Sequence, residues 1–313
     1  MTISKLFGVA ALLALPFSTF ACAPASGPTD SEDGATAEED ALSATARAYV
    51  TLQRDLKKCA APKCGGWFAK DINKANPTPR YVSGLDFANA NLDEDSIDQV
   101  LGAADGEVVL RAKLGPLDSA SGTRTLLVYE AYRGLPGTTA ATGDLYYATK
   151  PRDPQIQCFT APCNNLTTKK LNTTQTQDIT RTDVAFKDRI DNAWLTERAE
   201  QEGAIILGNV HSGAQFPGGK EKVLSARNVF LKLPEIQGPC PQFKLAACPS
   251  GQTRTYTRDT DRCILPGECV PSGACPQFVP SCNAGFELRS WASAPFGCNA
   301  YVCDPAWIYP EEN

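Results

Sequence analysis

Apolar and polar residues alternate in short runs over most of this chain, the two-residue period of strands that bury one face. "AYVTLQRD" (48–55) and "GWFAKDI" (66–72) are two such runs, and the Cys-x4-Cys turn between them predicts a hairpin. "YVSGLDF" (81–87) predicts a third strand. It leads into "DEDSIDQVLGAA" (93–104), whose acidic first turn suits the positive end of a helix dipole. "EVVLRAKL" (107–114) and "TLLVYEAY" (125–132) predict two further strands.

The same order then returns. "YVTLQRDLKKCAAPKCGGWFAKDIN" (49–73) aligns with "YATKPRDPQIQCFTAPCNNLTTKKLN" (147–172), with one residue inserted in the second copy. Tyr49 falls on Tyr147, and Ile72-Asn73 on Leu171-Asn172. Downstream, Asp86 falls on Asp183, Gly106 on Gly203, Tyr132 on Phe230 and Pro136 on Pro234. The second helix, "FKDRIDNAWLTERAEQEG", sets Phe186, Ile190, Trp194 and Leu195 on one face and ends at Gly203. "AIILGNV" and "VLSARNVFL" follow as strands. Four matches in constant order indicate a duplication. The expected fold class is α+β: two antiparallel β-sheet units (β-β-β-α-β-β, residues 45–137 and 141–236), each with one helix laid on its sheet.

The ends have a different texture. Lys5 precedes an apolar run from Leu6 to Phe17, too short for a bilayer span, and small residues then approach Cys22. That is the pattern of an export signal over residues 1–21 with lipidation at Cys22, although Thr19 stands where Leu is usual. Plain secretion is the alternative. Residues 22–44 crowd Asp30, Glu32, Asp33, Glu38, Glu39 and Asp40 among Pro, Gly and Ser, the composition of a self-repelling tether. The bilayer is then one partner, through the acyl anchor. A net charge of −5 and the lack of any Lys/Arg-rich block argue against nucleic acid.

Of 13 cysteines, those other than Cys22 form an even set, which in an exported chain reads as disulfides. A single histidine and the absence of CxxC spacing disfavour zinc and thiol redox chemistry, so neither metal nor cofactor is expected. Cys59–Cys64 and Cys158–Cys163 read as hairpin staples repeated by duplication. From residue 238 a smaller repeat appears, with "CPQF" opening each module: Cys240, Cys248, Cys263 and Cys269, then Cys275, Cys282, Cys298 and Cys303. Modules of this size cannot build a sufficient core without crosslinks, and the pairing inside each stays open.

Candidate chemistry is sparse. His211, in an apparent loop "GNVHSGAQFPGGK", would have to serve any Ser-His-Asp site, and the GxSxG elbow is missing. "PGGK" (217–220) lacks the spacing of a phosphate loop. "NANLDEDSID" lacks the Gly and bidentate Glu of an EF-hand and reads as helix capping. The loop 249–262 carries Arg254, Arg258 and Arg262 between cysteines, the manner in which small inhibitors present a basic residue to trypsin-like proteases.

The tandem tail resembles the eight-cysteine tails of exported myxobacterial proteins. The body, through "YVTLQRD", C-x4-C-GGW and "EAYRGLP", resembles an uncharacterised lipoprotein family of those bacteria, a domain of unknown function. The resemblance covers most of residues 45–303, though Asn164-Asn165-Leu166 replace Gly65-Gly66-Trp67 in the second copy. It implies location and no mechanism. The expectation is a non-enzymatic envelope lipoprotein, in the outer membrane of a Gram-negative cell, that binds an envelope or extracellular protein or glycan. Protease inhibition and hydrolysis through His211 are the alternatives.

Overall fold

The computed structural model describes residues 41–58, 61–137, 140–153, 158–184, 190–235 and 240–308. Strand β1 (Ala48–Arg54) buries Ala48, Val50 and Leu52 on one face. It lies antiparallel between β2 (Trp67–Asp71) and β5 (Val108–Asp118). Strand β3 (Arg80–Val82) extends the sheet beyond β2, and β6 (Thr123–Gly134) pairs with β5. β4 (Gly84–Asp86) runs parallel to the start of β6. Helix α1 (Glu94–Leu101) follows, capped by the Asp93 carboxylate, which accepts the Ser96 N–H.

The second copy repeats this plan with β7 (Leu145–Pro151), β8 (Leu166–Lys170), β9 (Thr176–Ile179), β10 (Arg181–Asp183), α2 (Asn192–Glu200), β11 (Ala204–Phe216) and β12 (Gly219–Lys232). The copies join where Arg133 faces Leu231, flanked by Tyr132–Lys232 and Gly134–Phe230 pairs. Exchanging the copies leaves that junction unchanged. The result is one 12-stranded sheet in the order β3-β2-β1-β5-β6-β12-β11-β7-β8-β9, with β4 beside β6 and β10 beside β12.

The expected α+β class is therefore corrected: the fold is mainly β, with one continuous sheet and two helices of eight and nine residues. Each unit has four strands before its helix, because the third run breaks in two. The Ser83 N–H donates to the Arg124 carbonyl and the Thr180 N–H to the Lys222 carbonyl, redirecting the chain from β3 to β4 and from β9 to β10. α2 is also shorter than its apolar pattern suggested. Ile190 lies before the Asp191 cap, Phe186 falls outside the described residues, and Glu202 at φ 60° turns the chain ahead of Gly203.

Strand pairing also corrects the alignment of the copies. Tyr49 stands opposite Arg111 and Tyr146 opposite Leu207, so Tyr146, not Tyr147, is the structural counterpart of Tyr49. The bulges after Arg111 and after Leu207 fall at matching places. The Asp55 N–H donates to Gly66 O, and the Arg152 N–H to Asn165 O, which makes the second stapled loop two residues longer. A one-residue slip in a strand exchanges its faces, so the shift decides which side chains belong together.

Three cores result. One, under α1, gathers Val50, Leu110, Leu126 and Val100. Another, under α2, gathers Trp194, Leu195, Ile206 and Leu224. The third lies between the copies and takes Ile72, Val109 and Tyr132 from the first with Leu171, Ile205, Leu207 and Phe230 from the second. Large side chains of this kind contribute about 1.5–3 kcal/mol each when fully buried.

The tail forms two hairpins, β13 (Gln252–Arg258) with β14 (Ile264–Pro271) and β15 (Phe286–Ser293) with β16 (Cys298–Pro305). Each module pairs its first cysteine with its third and its second with its fourth: Cys240–Cys263, Cys248–Cys269, Cys275–Cys298 and Cys282–Cys303. Cys158–Cys163 closes the stapled loop of the second copy. Cys64 is disulfide-bonded, while Cys59 and Cys22 lie outside the described residues.

Candidate functional site

β1 and β7 are not neighbours in the sheet, yet two asparagines bridge them. Asn73 and Asn172 close the β2 and β8 ends of the two copies at φ 57° and 58°, a left-handed conformation that Asn tolerates. The Tyr49 N–H donates to Asn172 Oδ1 at 2.7 Å, and Asn172 Nδ2 returns bonds to Tyr49 O at 2.7 Å and Ile72 O at 3.1 Å. In mirror fashion the Tyr146 N–H donates to Asn73 Oδ1 at 2.8 Å, and Asn73 Nδ2 donates to Tyr146 O at 2.7 Å and Leu171 O at 2.9 Å. Each side chain thus supplies the acceptor that the tyrosine N–H lacks and a second donor to its carbonyl, which already accepts the Ile72 or Leu171 N–H. The Ile/Leu-Asn repeat marks are the latch between the copies.

Beside the Asn172 latch is a cavity of about 310 Å³. Its floor is Tyr49, Ala148, Thr149 and Leu171, and its walls are Arg47, Arg111, Lys150, Lys169 and Glu202. Alternation along β1, β7 and β8 explains the assembly, since side chains two apart share a face. Arg47 shares the face of Tyr49 in this way, Lys150 that of Ala148, and Lys169 that of Leu171.

Behind the wall, Arg111 Nη1 lies 3.1 Å from Glu130 Oε1, and the Tyr132 hydroxyl donates to Glu130 Oε2 at 2.8 Å. Burial raises the Tyr49 and Tyr132 hydroxyls above their ordinary pKa, and the Glu130 charge adds to both, so both stay protonated donors. Desolvation opposes the Arg111 charge, but Tyr49 and Glu130 hold the guanidinium above its usual range. Arg47 stacks over the Tyr129 ring at 3.7 Å. Among the described residues, no carboxylate lies within ion-pair distance of Arg47, Lys150 or Lys169.

The matching mouth, beside Asn73, is built differently. Asp144 stands in place of Arg47, Leu207 in place of Arg111, Gln53 in place of Lys150 and Phe68 in place of Thr167; Lys70 alone matches Lys169. Asp144 is paired with Arg227 at 2.8 Å. Two other hollows are less suited to a small ligand. One of about 560 Å³ has its charges already paired, Arg198 with Glu235 and Lys232 with Glu130. The other, about 380 Å³, is lined by tail residues such as Phe278 and Tyr301 and carries no charge.

The residues singled out from sequence lie elsewhere. His211 is exposed on β11 rather than in a loop, with Nε2 3.3 Å from Ser225 Oγ; among the described residues no carboxylate hydrogen-bonds to it. In "PGGK", Pro217-Gly218 form the turn between β11 and β12, and Gly219-Lys220 begin β12. Asp93 in "NANLDEDSID" caps α1, and no metal-holding group of His, Cys, Asp or Glu occurs among the described residues.

The arginines of 249–262 depart furthest from expectation. Residues 252–258 of that loop are strand β13, where the Arg254 residue is half-buried and the Arg258 side chain is 3% exposed. Arg258 makes a bidentate pair with the fully buried Asp304 at 3.0 and 2.7 Å and reaches Asp191, the α2 cap, at 3.6 Å. Arg262 lies over the Trp194 ring at 5.2 Å, with Glu235 4.0 Å away. Arg254 donates to the Gly267 and Ala246 carbonyls. Arg258 and Arg262 dock the tail on α2, and none of the three is displayed as a bait residue. Gly285 at φ +85° packs against Pro136, where a Cβ would come within 2.6 Å of the proline ring.

The fold is a duplicated mainly-β body with a docked, crosslinked tail and a cationic cavity between its copies. The chain belongs to the family described as "Domain of unknown function (DUF6748)", matched over residues 48–236. It is 28% identical over 270 residues to an uncharacterized protein of Dictyostelium discoideum, covering 83% of this chain and 88% of that one. No solved structure matches it. Sequence reasoning missed Arg47, Tyr49, Arg111, Lys150, Lys169 and Glu202. The available signal was the pair of Ile/Leu-Asn marks, which locate the latch but not the cavity.

Proposed function

We propose that this protein is an exported, lipid-anchored binding protein of the cell envelope, without catalytic activity, whose ligand enters the cavity between the two copies. The observation that carries the reading is the difference between the two mouths. At matching positions one holds Asp144 and Leu207 and the other holds Arg47 and Arg111 around a cavity. A structural duplication has no need of cationic side chains gathered around a hollow, whereas a binding site does. The signal-like residues 1–21, Cys22 and the acidic tether support the anchored location, as does the resemblance to exported myxobacterial lipoproteins. The crosslinked tail, docked on α2, would hold the body rigid outside the cytoplasm.

Native mass spectrometry of the full chain recovered from envelopes tests both parts. The expected species lacks residues 1–21, carries acyl groups on Cys22, and retains a small noncovalent ligand that Arg111→Leu loses. Retention of residues 1–21 removes the anchor. A ligand-free protein, or an adduct indifferent to Arg111→Leu, removes the binding role.

A further inference from the structure

We infer that the inter-copy cavity is an oxyanion site, taking the phosphate or carboxylate of a ligand about the size of a monosaccharide. The inference rests on the binding reading above and names the chemistry of that site. Arg47, Arg111, Lys150 and Lys169 converge on the cavity against one lining carboxylate, Glu202. Glu130 neutralises Arg111 from behind, which leaves Arg47, Lys150 and Lys169 to meet an incoming charge. A cleft lined by one sign of charge concentrates field and draws the opposite ion. Arg111 adds a planar fork already oriented by Glu130, the geometry that matches phosphate and carboxylate oxygens. Tyr49 forms part of the floor, and its hydroxyl interacts with Tyr132 behind it. The floor is otherwise apolar at Ala148 and Leu171, and the volume of about 310 Å³ is at the small end for ligand pockets, which limits the occupant to a small molecule.

The test is calorimetric titration of the full chain with glucose 6-phosphate, glucuronate and uncharged glucose. The double variant Lys150→Gln/Lys169→Gln removes two exposed charges and leaves the Arg111–Glu130 pair and both cores intact. Lys70→Gln, at the matching position of the other mouth, is the control. The expected result is saturable binding of at least one anion, weakened roughly thirtyfold in the double variant. Binding should also weaken as salt rises, and Lys70→Gln should leave it unchanged. Phosphate against carboxylate preference is read from the first two ligands. Equal binding of glucose, or anion binding indifferent to the double variant, overturns the oxyanion inference while leaving a binding role standing. No binding of either anion up to about 10 mM, weaker than any useful affinity, overturns it as well. The native ligand measured by mass spectrometry then decides the binding role separately.

Discussion

The two copies share strand order, register, bulges and latch, and they differ at the positions that face each other across the central core. The first copy places Tyr49, Arg111, Glu130 and Tyr132 in one hydrogen-bonded and charged group. The second places Tyr146, Leu207, Asn228 and Phe230 at the same points, where Leu207 is 2% and Asn228 is 3% exposed. The helices differ in the same way. Ser96 in α1 corresponds to Trp194 in α2, each donating its N–H to the capping aspartate, and the tail docks on the helix that carries the tryptophan. The second copy has become the main platform for the tail, and the first brings Arg47 and Arg111 to a cavity whose other charged walls, Lys150, Lys169 and Glu202, the second supplies. A duplicated fold can tolerate this because backbone hydrogen bonding holds the frame whatever the side chains do.

The platform should be the costlier half to damage. Arg258→Met removes the cation from between Asp304, which is fully buried, and Asp191. Removing one partner of a buried pair typically costs about 3–5 kcal/mol. Urea denaturation should show that loss, with the tail becoming sensitive to protease before the sheet does. A loss under about 1 kcal/mol would mean that Arg262 on Trp194 and the apolar contacts of Phe286 and Trp307 hold the tail without this ion pair, and the distinction between platform and pocket halves would weaken.

The latch tests whether the halves are equivalent where they look alike. Asn172→Ala leaves the Tyr49 N–H without its acceptor and takes one donor from the Ile72 carbonyl and one of two from the Tyr49 carbonyl, which keeps the Ile72 N–H; Asn73→Ala does the same to the mirror set. Each buried group so abandoned costs about 1–3 kcal/mol, partly relieved where water enters. A loss of about 2–4 kcal/mol is expected for Asn172→Ala. A somewhat smaller loss is expected for Asn73→Ala, because Asn73 is less buried. Denaturation midpoints that differ widely would show that only one latch bears strain.

Much of the frame was legible in the sequence. Alternation marked the long strands, and the repeat marks located Asn73 and Asn172 without stating their role. The class was misread because the apolar pattern of 186–203 overstates a helix that begins only at Asn192. The break at Ser83-Gly84 also lies inside a run with no polar interruption stronger than Ser. The cavity was illegible for a different reason. Its walls come from strands far apart in sequence, and aligning Tyr49 with Tyr147 turns every β7 side chain to the wrong face. Arg258 and Arg262 misled because an arginine in a cysteine-rich module with little core of its own reads as solvated, while here the core it meets belongs to another part of the chain.

A smaller effect probes the wall itself. Arg111→Leu alone recreates the second copy's residue but leaves Glu130 facing Tyr132 and Lys232 without its main partner. With Arg111 and Glu130 both partly exposed, solvent screening limits the loss to about 1 kcal/mol. Adding Glu130→Asn replaces the charged pair by the second copy's residues, with Tyr132 still standing where that copy has Phe230, and should return stability to within about 0.5 kcal/mol of wild type. A double variant as unstable as the single one would mean that the polar wall is structural, and the contrast between the copies would lose its functional meaning.

An effect of similar size is expected at the α1 cap. Asp93→Ala removes the acceptor for the Ser96 N–H, a cap worth about 1 kcal/mol. Asp191→Ala should cost more, because Asp191 Oδ2 also lies 3.6 Å from Arg258. The Ser96 side chain and N–H hold the Asp93 carboxyl below its usual range. Its contribution is therefore complete above the unfolded carboxylate pKa of about 4 and disappears as pH falls through the lower folded value. Unfolding of Asp93→Ala and wild type should differ at pH 7 and converge as pH falls below the lowered folded value. A penalty that persists in acid would assign the effect to helix propensity rather than to the charge at the cap. The excess penalty of Asp191 over Asp93, measured at pH 7 in both the wild-type and Arg258→Met backgrounds, isolates what the docked tail adds to one copy and not the other.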